Sequence, residues 1–250
     1  MNKYLYFGEN EKKTVDFETP LVKKVRQASA SPITFIGGIF FILSGVVLSV
    51  YYFAFYFKLK TAYFGLLPLL PILSGLCLVL SFAQSRGKTL FYSASAQKAF
   101  GILQIIKSLA TAATVYWLFF ISFNRYPLIR LLKEKYSLYV LLLSVPVVLS
   151  VFLTAFSGFT VRRTATDNVP SRAFLIPSAI IFILAAILSV AAAASPFFIK
   201  YASFVANRHI LFSYSNYIIL PSAFAFSAVG YALLAAVMIK YNKAIKKTNY

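Results

Sequence analysis

Six apolar stretches, near 33–57, 63–82, 102–123, 138–156, 173–198 and 216–239, take up most of this 250-residue chain. Each matches the ~20 residues that a helix needs to cross ~30 Å of hydrocarbon. A soluble core could not hide them, because 60% of the residues are apolar and only 12% are charged, far from the balance of a water-soluble domain. Inside a bilayer no water reaches the backbone, so each stretch must close its hydrogen bonds internally as a helix. The expected fold is therefore all-α, a polytopic transmembrane helix bundle of about six spans. Around the membrane domain at 33–240 lie a leader at 1–32 and a basic tail at 241–250. The leader carries no apolar run, so the first span is expected to serve as the insertion signal.

Orientation follows from Lys and Arg, which cytoplasmic segments retain. The leader, the 83–101 and 157–172 connections and the tail counted together with Lys240 hold sixteen, whereas the three alternate connections hold eight. Both termini are thus expected in the cytoplasm, with the chain in a plasma (inner) membrane. The net charge of +19 is spread over every loop, which fits contact with anionic lipid headgroups. Nucleic acid is not expected as a partner, since no single basic face is present. Cys77 is the only cysteine, so neither a disulfide framework nor a cysteine pair for a metal is available.

Thr19-Pro20 reads as a helix start, followed by Leu21, Val22 and Val25 opposite Lys23, Lys24 and Arg26. This is a short amphipathic helix expected to lie on the inner surface, with the three basic residues as headgroup contacts. A second interfacial helix is expected over about 89–100. Pro68 and Pro71 are read as a kink or an unwound entry turn of the second span, and Pro146 and Pro177 as further kink candidates. Ile42-Leu43-Ser44-Gly45 recurs as Ile72-Leu73-Ser74-Gly75, too short a match to define a repeat. Lys107 lies inside the third span and is expected to snorkel to the inner headgroups, with anion binding as the alternative. Ala185, Ser189 and Ala193, and likewise Ala228, Ala232 and Ala236, recur every fourth residue. Such stripes let membrane helices approach closely, within the chain or towards another subunit.

All six acidic residues, Glu9, Glu11, Asp16, Glu18, Glu134 and Asp167, fall outside the apolar stretches. Intramembrane aspartyl proteolysis, carboxylate-held Mg²⁺ and carboxylate proton relays all require such groups. His209 is the single histidine. Ser74-Gly75 and Ser157-Gly158 lack the preceding glycine of a nucleophile elbow. An enzyme is not expected, nor any cofactor.

What remains is a non-enzymatic accessory or scaffold subunit of a membrane complex, acting through helix packing and lipid contact. The alternative is a transport component. Length, six spans, both ends inside, the amphipathic leader and the inner connection between spans two and three together resemble the membrane subunit of an ABC-2-type exporter. That resemblance implies a separate ATPase docked on the inner connections, and hence no nucleotide motif in the permease itself.

A peptide covering 18–31, which contains Lys23, Lys24 and Arg26, should bind anionic vesicles and be released by salt, because the attraction is screened over about 10 Å at 0.1 M. Co-sedimentation checks this; equal binding to neutral vesicles would refute the electrostatic attraction.

Overall fold

The computed structural model describes residues 26–27, 29–51, 68–86, 95–116, 149, 151–159, 161–162, 172–206 and 214–246. Every element among them is a helix: α1 (Pro32–Tyr51), α2 (Leu69–Arg86), α3 (Ser95–Tyr116), α4 (151–159), α5 (Arg172–Ala206) and α6 (Tyr214–Lys246). Pro32–Tyr51, Leu69–Arg86, Phe174–Ala194 and Pro221–Ala244 are long and apolar enough to cross a membrane. The third expected span begins earlier than its apolar run, because α3 continues unbroken from Ser95. Residues 95–100 are therefore the first turns of α3 and not a separate interfacial helix. Most of the fourth expected span, and the leader up to residue 25, lie outside the described residues.

Proline marks helix starts here. Pro32 opens α1, and the backbone amide of Thr34 donates to the Ser31 carbonyl at 3.0 Å. Pro68 precedes α2 and Pro71 falls in its first turn, where amides have no intrahelical acceptor and a missing N–H costs nothing. Of the two expectations at Pro68 and Pro71, a kink or an unwound entry turn, the structure has a turn at Pro68 leading into a regular helix from Leu69. Pro221 does lie inside α6.

The helices bury what a soluble protein exposes. On α1 the buried residues are Thr34, Gly37, Gly38, Phe41, Ser44 and Gly45, while Phe35, Ile36, Ile39, Leu43, Val46 and Val50 point outward. On α2 the buried set is Pro71, Ser74, Gly75, Leu78, Ser81 and Ser85, with Leu69, Leu73, Leu76 and Leu80 exposed. Lipid tails are as apolar as leucine, so leucine gains little by turning inward, and small residues that allow close contact occupy the interface instead.

α1 packs against both α2 and α6, α6 against α5, and α2 against α3. The α1–α2 contact is made at backbone level. A Cβ on Gly38 would lie 2.8 Å from the Gly75 carbonyl oxygen, and one on Gly75 only 2.4 Å from that of Gly38. The two Ile-Leu-Ser-Gly segments meet there in antiparallel fashion: Gly45 faces Ile72, and Gly75 faces Ile42. A similar glycine contact joins α3 to α4, where Gly101 and Gly158 would each meet the other's carbonyl oxygen at 2.8 and 2.6 Å. On the opposite flank of α1, Gly230 of α6 leaves room for the Phe41 ring, 2.9 Å from where its Cβ would stand.

Adjacent glycines of α1 should therefore respond differently to one methyl group. At Gly38 the added Cβ meets backbone and should cost about 1–3 kcal/mol by overpacking. At Gly37 its nearest neighbour is Leu233 Cβ at 3.5 Å, an ordinary contact. Gly37→Ala should be neutral or stabilising, by up to about 1 kcal/mol of helix propensity. Thermal melts of Gly37→Ala and Gly38→Ala in the same detergent check this, and equal melting points would rule out the close α1–α2 approach.

Candidate functional site

α3 carries two strongly polar residues three positions apart, Gln104 and Lys107, which that spacing places on neighbouring rows of one helix. Lys107 is nine residues beyond Lys98 on α3, and Tyr231 nine residues before Lys240 on α6. At 1.5 Å per residue both lie about 13 Å along their helices from the basic end of the bundle.

At that depth Lys107 Nζ donates to Tyr231 Oη at 3.0 Å. The Tyr231 hydroxyl donates to Gln104 Oε1 across a long 3.4 Å. Gln104 Nε2 donates to Ser74 Oγ at 3.1 Å, and Ser74 Oγ donates to the Leu70 carbonyl at 2.8 Å. Each hydroxyl in this chain accepts from one side and donates to the other, so the bonds run in one sense from α3 to α6, back to α3 and on to α2. Aligned dipoles in a low dielectric strengthen one another. Gln104, Ser74 and Tyr231 are fully or almost fully buried, and an unsatisfied amide or hydroxyl there would be costly.

Aromatic rings complete the surroundings of Lys107. Nζ stands 5.2 Å from the Tyr231 ring centroid and 5.9 Å from that of Phe41, both within cation–π range. Phe41 meets Tyr231 edge-on at 4.9 Å and 87°, and Phe182 of α5 stacks with Tyr231 at 6.1 Å. A lysine at a helix centre costs about 2.5–3.5 kcal/mol on insertion scales. One hydroxyl and two ring faces offset part of that cost. None of the chain's six acidic residues is among the described residues.

Further polar contacts tie the bundle. Ser44 Oγ and Ser227 Oγ bond at 2.7 Å between α1 and α6. Near the basic end, Gln97 Nε2 donates to Ser29 Oγ at 3.1 Å and Tyr241 Oη at 2.8 Å, and those two hydroxyls bond to each other. Lys240 Nζ donates to Ser31 Oγ at 2.8 Å beside them. Arg26, Arg86, Lys98, Arg162, Lys240 and Lys243 all stand at this end, because the helices alternate in direction. Arg86 covers the Phe82 ring at 4.7 Å. Among the described residues no group of three or more His, Cys, Asp or Glu comes together.

Lys23 and Lys24 lie outside the described residues, while Arg26 sits half-buried in the helical turn before α1. Lys107, expected to run out to the headgroups, instead turns onto Tyr231, because the hydroxyl and the Tyr231 and Phe41 rings lie within its reach. On α5, Ala185 is buried, and Ser189 and Ala193 are half-buried; the Ser189 hydroxyl donates to the Ala185 carbonyl at 2.8 Å. On α6, Ala228 is buried, Ala236 half-buried and Ala232 exposed. Steps of four residues advance 400°, so such a stripe drifts by about 40° per step. Starting from the edge of the buried arc at Ala228, it leaves that arc at Ala232. The residues that do bury α6 are Ala223, Ser227, Tyr231, Leu234, Met238 and Tyr241, whose spacing of three and four keeps to one face. Sequence reading did not single out Gln104 or Tyr231, and met Ser74 only in the Ile-Leu-Ser-Gly recurrence and as a serine without an elbow; polar side chains inside apolar runs were the available signal.

Comparison with protein families, with curated proteins and with solved structures finds no match.

The Lys107–Tyr231 contact should appear as energetic coupling. Tyr231→Phe alone should lower stability in detergent by about 0.5–1.7 kcal/mol, the range of single interhelical hydrogen bonds in membranes. In a Lys107→Met background the same change should cost clearly less. Unfolding titrations of both single variants and the double variant measure this. Additivity within about 0.3–0.5 kcal/mol would mean that the two residues do not interact.

Proposed function

We propose that this chain is a six-span, non-enzymatic subunit of a membrane complex, with both termini in the cytoplasm of a cell bounded by the plasma (inner) membrane in which it sits. It works through helix packing and contact with anionic lipid. The observation that carries this is the nature of the inward-facing residues: Gly38 against Gly75, Gly101 against Gly158, and Ser44 against Ser227. These are the groups that let helices touch, and in each case they touch one another. The orientation is supported by the collar of Arg26, Arg86, Lys98, Arg162, Lys240 and Lys243 at one end of the helices, which retained positive charge assigns to the cytoplasm. That collar is also the lipid contact, at about 1 kcal/mol per basic residue near an anionic surface.

A permease that works with a separate ATPase is the second reading, favoured by one observation. Lys107 and its chain of polar partners cross the bundle at mid-depth, and ionisable residues at that level commonly mark substrate routes. Purification from the native membrane separates the two. A co-purifying nucleotide-binding ATPase supports the permease, and a complex without one supports the scaffold subunit.

Reporter fusions test the topology. Fusions after Lys58, Arg130 and Lys200 should report the outside, and fusions after Lys88, Arg163 and Lys247 the cytoplasm. If Lys88 and Arg130 report the same side, no span lies between them and the six-span arrangement fails.

A further inference from the structure

Lys107 stands on a flank of α3 that its neighbours only partly cover. Ala99, Leu103, Lys107 and Ala110 follow one another at helical spacing and are all half-buried, between the buried face of Phe100, Gln104 and Ser108 and the exposed Ile102, Ile106 and Leu109. Apart from Lys107 the flank is small or aliphatic, a surface against which a further helix can lie. An ammonium has three donors, and here one is directed to Tyr231. The hydroxyl is neutral and the rings offer only their faces, so no described neighbour supplies a full negative charge. Headgroup phosphates lie about 15 Å away at either border of the hydrocarbon, beyond a side chain already turned towards the bundle centre. A carboxylate carried at the middle of another transmembrane helix meets both the depth and the charge.

We infer that Lys107 is the docking point for an acidic residue at mid-span of a transmembrane helix belonging to a partner subunit, seated along Ala99, Leu103 and Ala110. This rests on the subunit reading above and names the chemistry of the partner. Neutralising both charges by pairing removes the cost of holding either alone in hydrocarbon, so the lysine orders the contact and rejects helices without an acid.

The test uses the full-length tagged chain co-expressed with single-span reporter helices of leucine. One carries Asp at its centre, one only leucine, and one has Asp moved to the last turn. Retention on the tagged chain in mild detergent and energy transfer in the membrane are read together. The central-Asp helix should be retained on the order of tenfold better than the other two, corresponding to about 1.4 kcal/mol. Lys107→Met and Lys107→Gln should abolish that preference and Lys107→Arg should keep it, with melting points confirming that each variant folds. Equal retention of the three reporters by the wild-type chain overturns the proposal, as does an Asp preference that survives Lys107→Gln. If the preference emerges only after Glu134→Gln or Asp167→Asn, the chain's own acid fills the site and the proposal fails. Nitrate or halide flux through proteoliposomes of the wild-type chain, lost in Lys107→Gln, would assign the site to a small anion and overturn it as well. Native electrophoresis of the tagged chain from its own membrane separates the two levels. A one-chain mass overturns the subunit reading, whereas a larger mass without an Asp preference overturns only the role of Lys107.

Discussion

The approach of α1 and α2 at Gly38 and Gly75 is the contact on which the other packing depends. In hydrocarbon each helix satisfies its own backbone, so nothing but contact between surfaces holds two helices together. Contact is closest where no side chain intervenes, and at this crossing even a methyl group would meet a carbonyl oxygen. With α2 seated there, the opposite flank of α1 receives α6, whose Gly230 admits the Phe41 ring. Phe41, Tyr231 and Phe182 then form the aromatic centre that joins α1, α6 and α5.

The same crossing distributes the polar groups. Ile42-Leu43-Ser44-Gly45 and Ile72-Leu73-Ser74-Gly75 face each other with local two-fold character, each glycine against the other segment's isoleucine. Their leucines both point outward. Their serines diverge, Ser44 to Ser227 on α6 and Ser74 to Gln104 on α3. One antiparallel pair thus supplies a hydroxyl to each side of the bundle, and the hydroxyl sent to α3 ends the chain of bonds that begins at Lys107. The polar cluster around Lys107 thus reaches the glycine crossing at Ser74, one residue before Gly75.

Buried hydroxyls in this bundle act mostly on nearby backbone. Ser85 donates to the Ser81 carbonyl, Ser178 to Phe174 and Thr111 to Lys107. Such back-bonding hides the polar group within its own helix and lets serine pack as a small residue. Other polar side chains bond across the bundle, among them Ser44 with Ser227, Ser74 with Gln104, Gln97 with Ser29 and Tyr241, Lys107 with Tyr231 and Lys240 with Ser31. These set which helices are neighbours, because each bond is satisfied by only one arrangement.

Length and hydropathy were legible along the chain: helices long and apolar enough to span were expected near 33–57, 63–82, 173–198 and 216–239, and Pro32–Tyr51, Leu69–Arg86, Phe174–Ala194 and Pro221–Ala244 are such helices. These are properties of one segment in its solvent, and the order of residues contains them. Which way a side chain points belongs to pairs of segments far apart in sequence. Lys107 meets Tyr231 across 124 positions, and no local pattern states that encounter. Nor does the recurrence of Ala228, Ala232 and Ala236 reveal that Ala232 faces outward, since the buried arc of α6 is fixed by the helices on either side. The sequence by itself determined that the chain is helical and suited to lipid; the tertiary structure decided that glycines set the helix crossings and that a lysine turns onto a tyrosine of another helix, because the azimuth of each helix is set only when the helices are packed against one another.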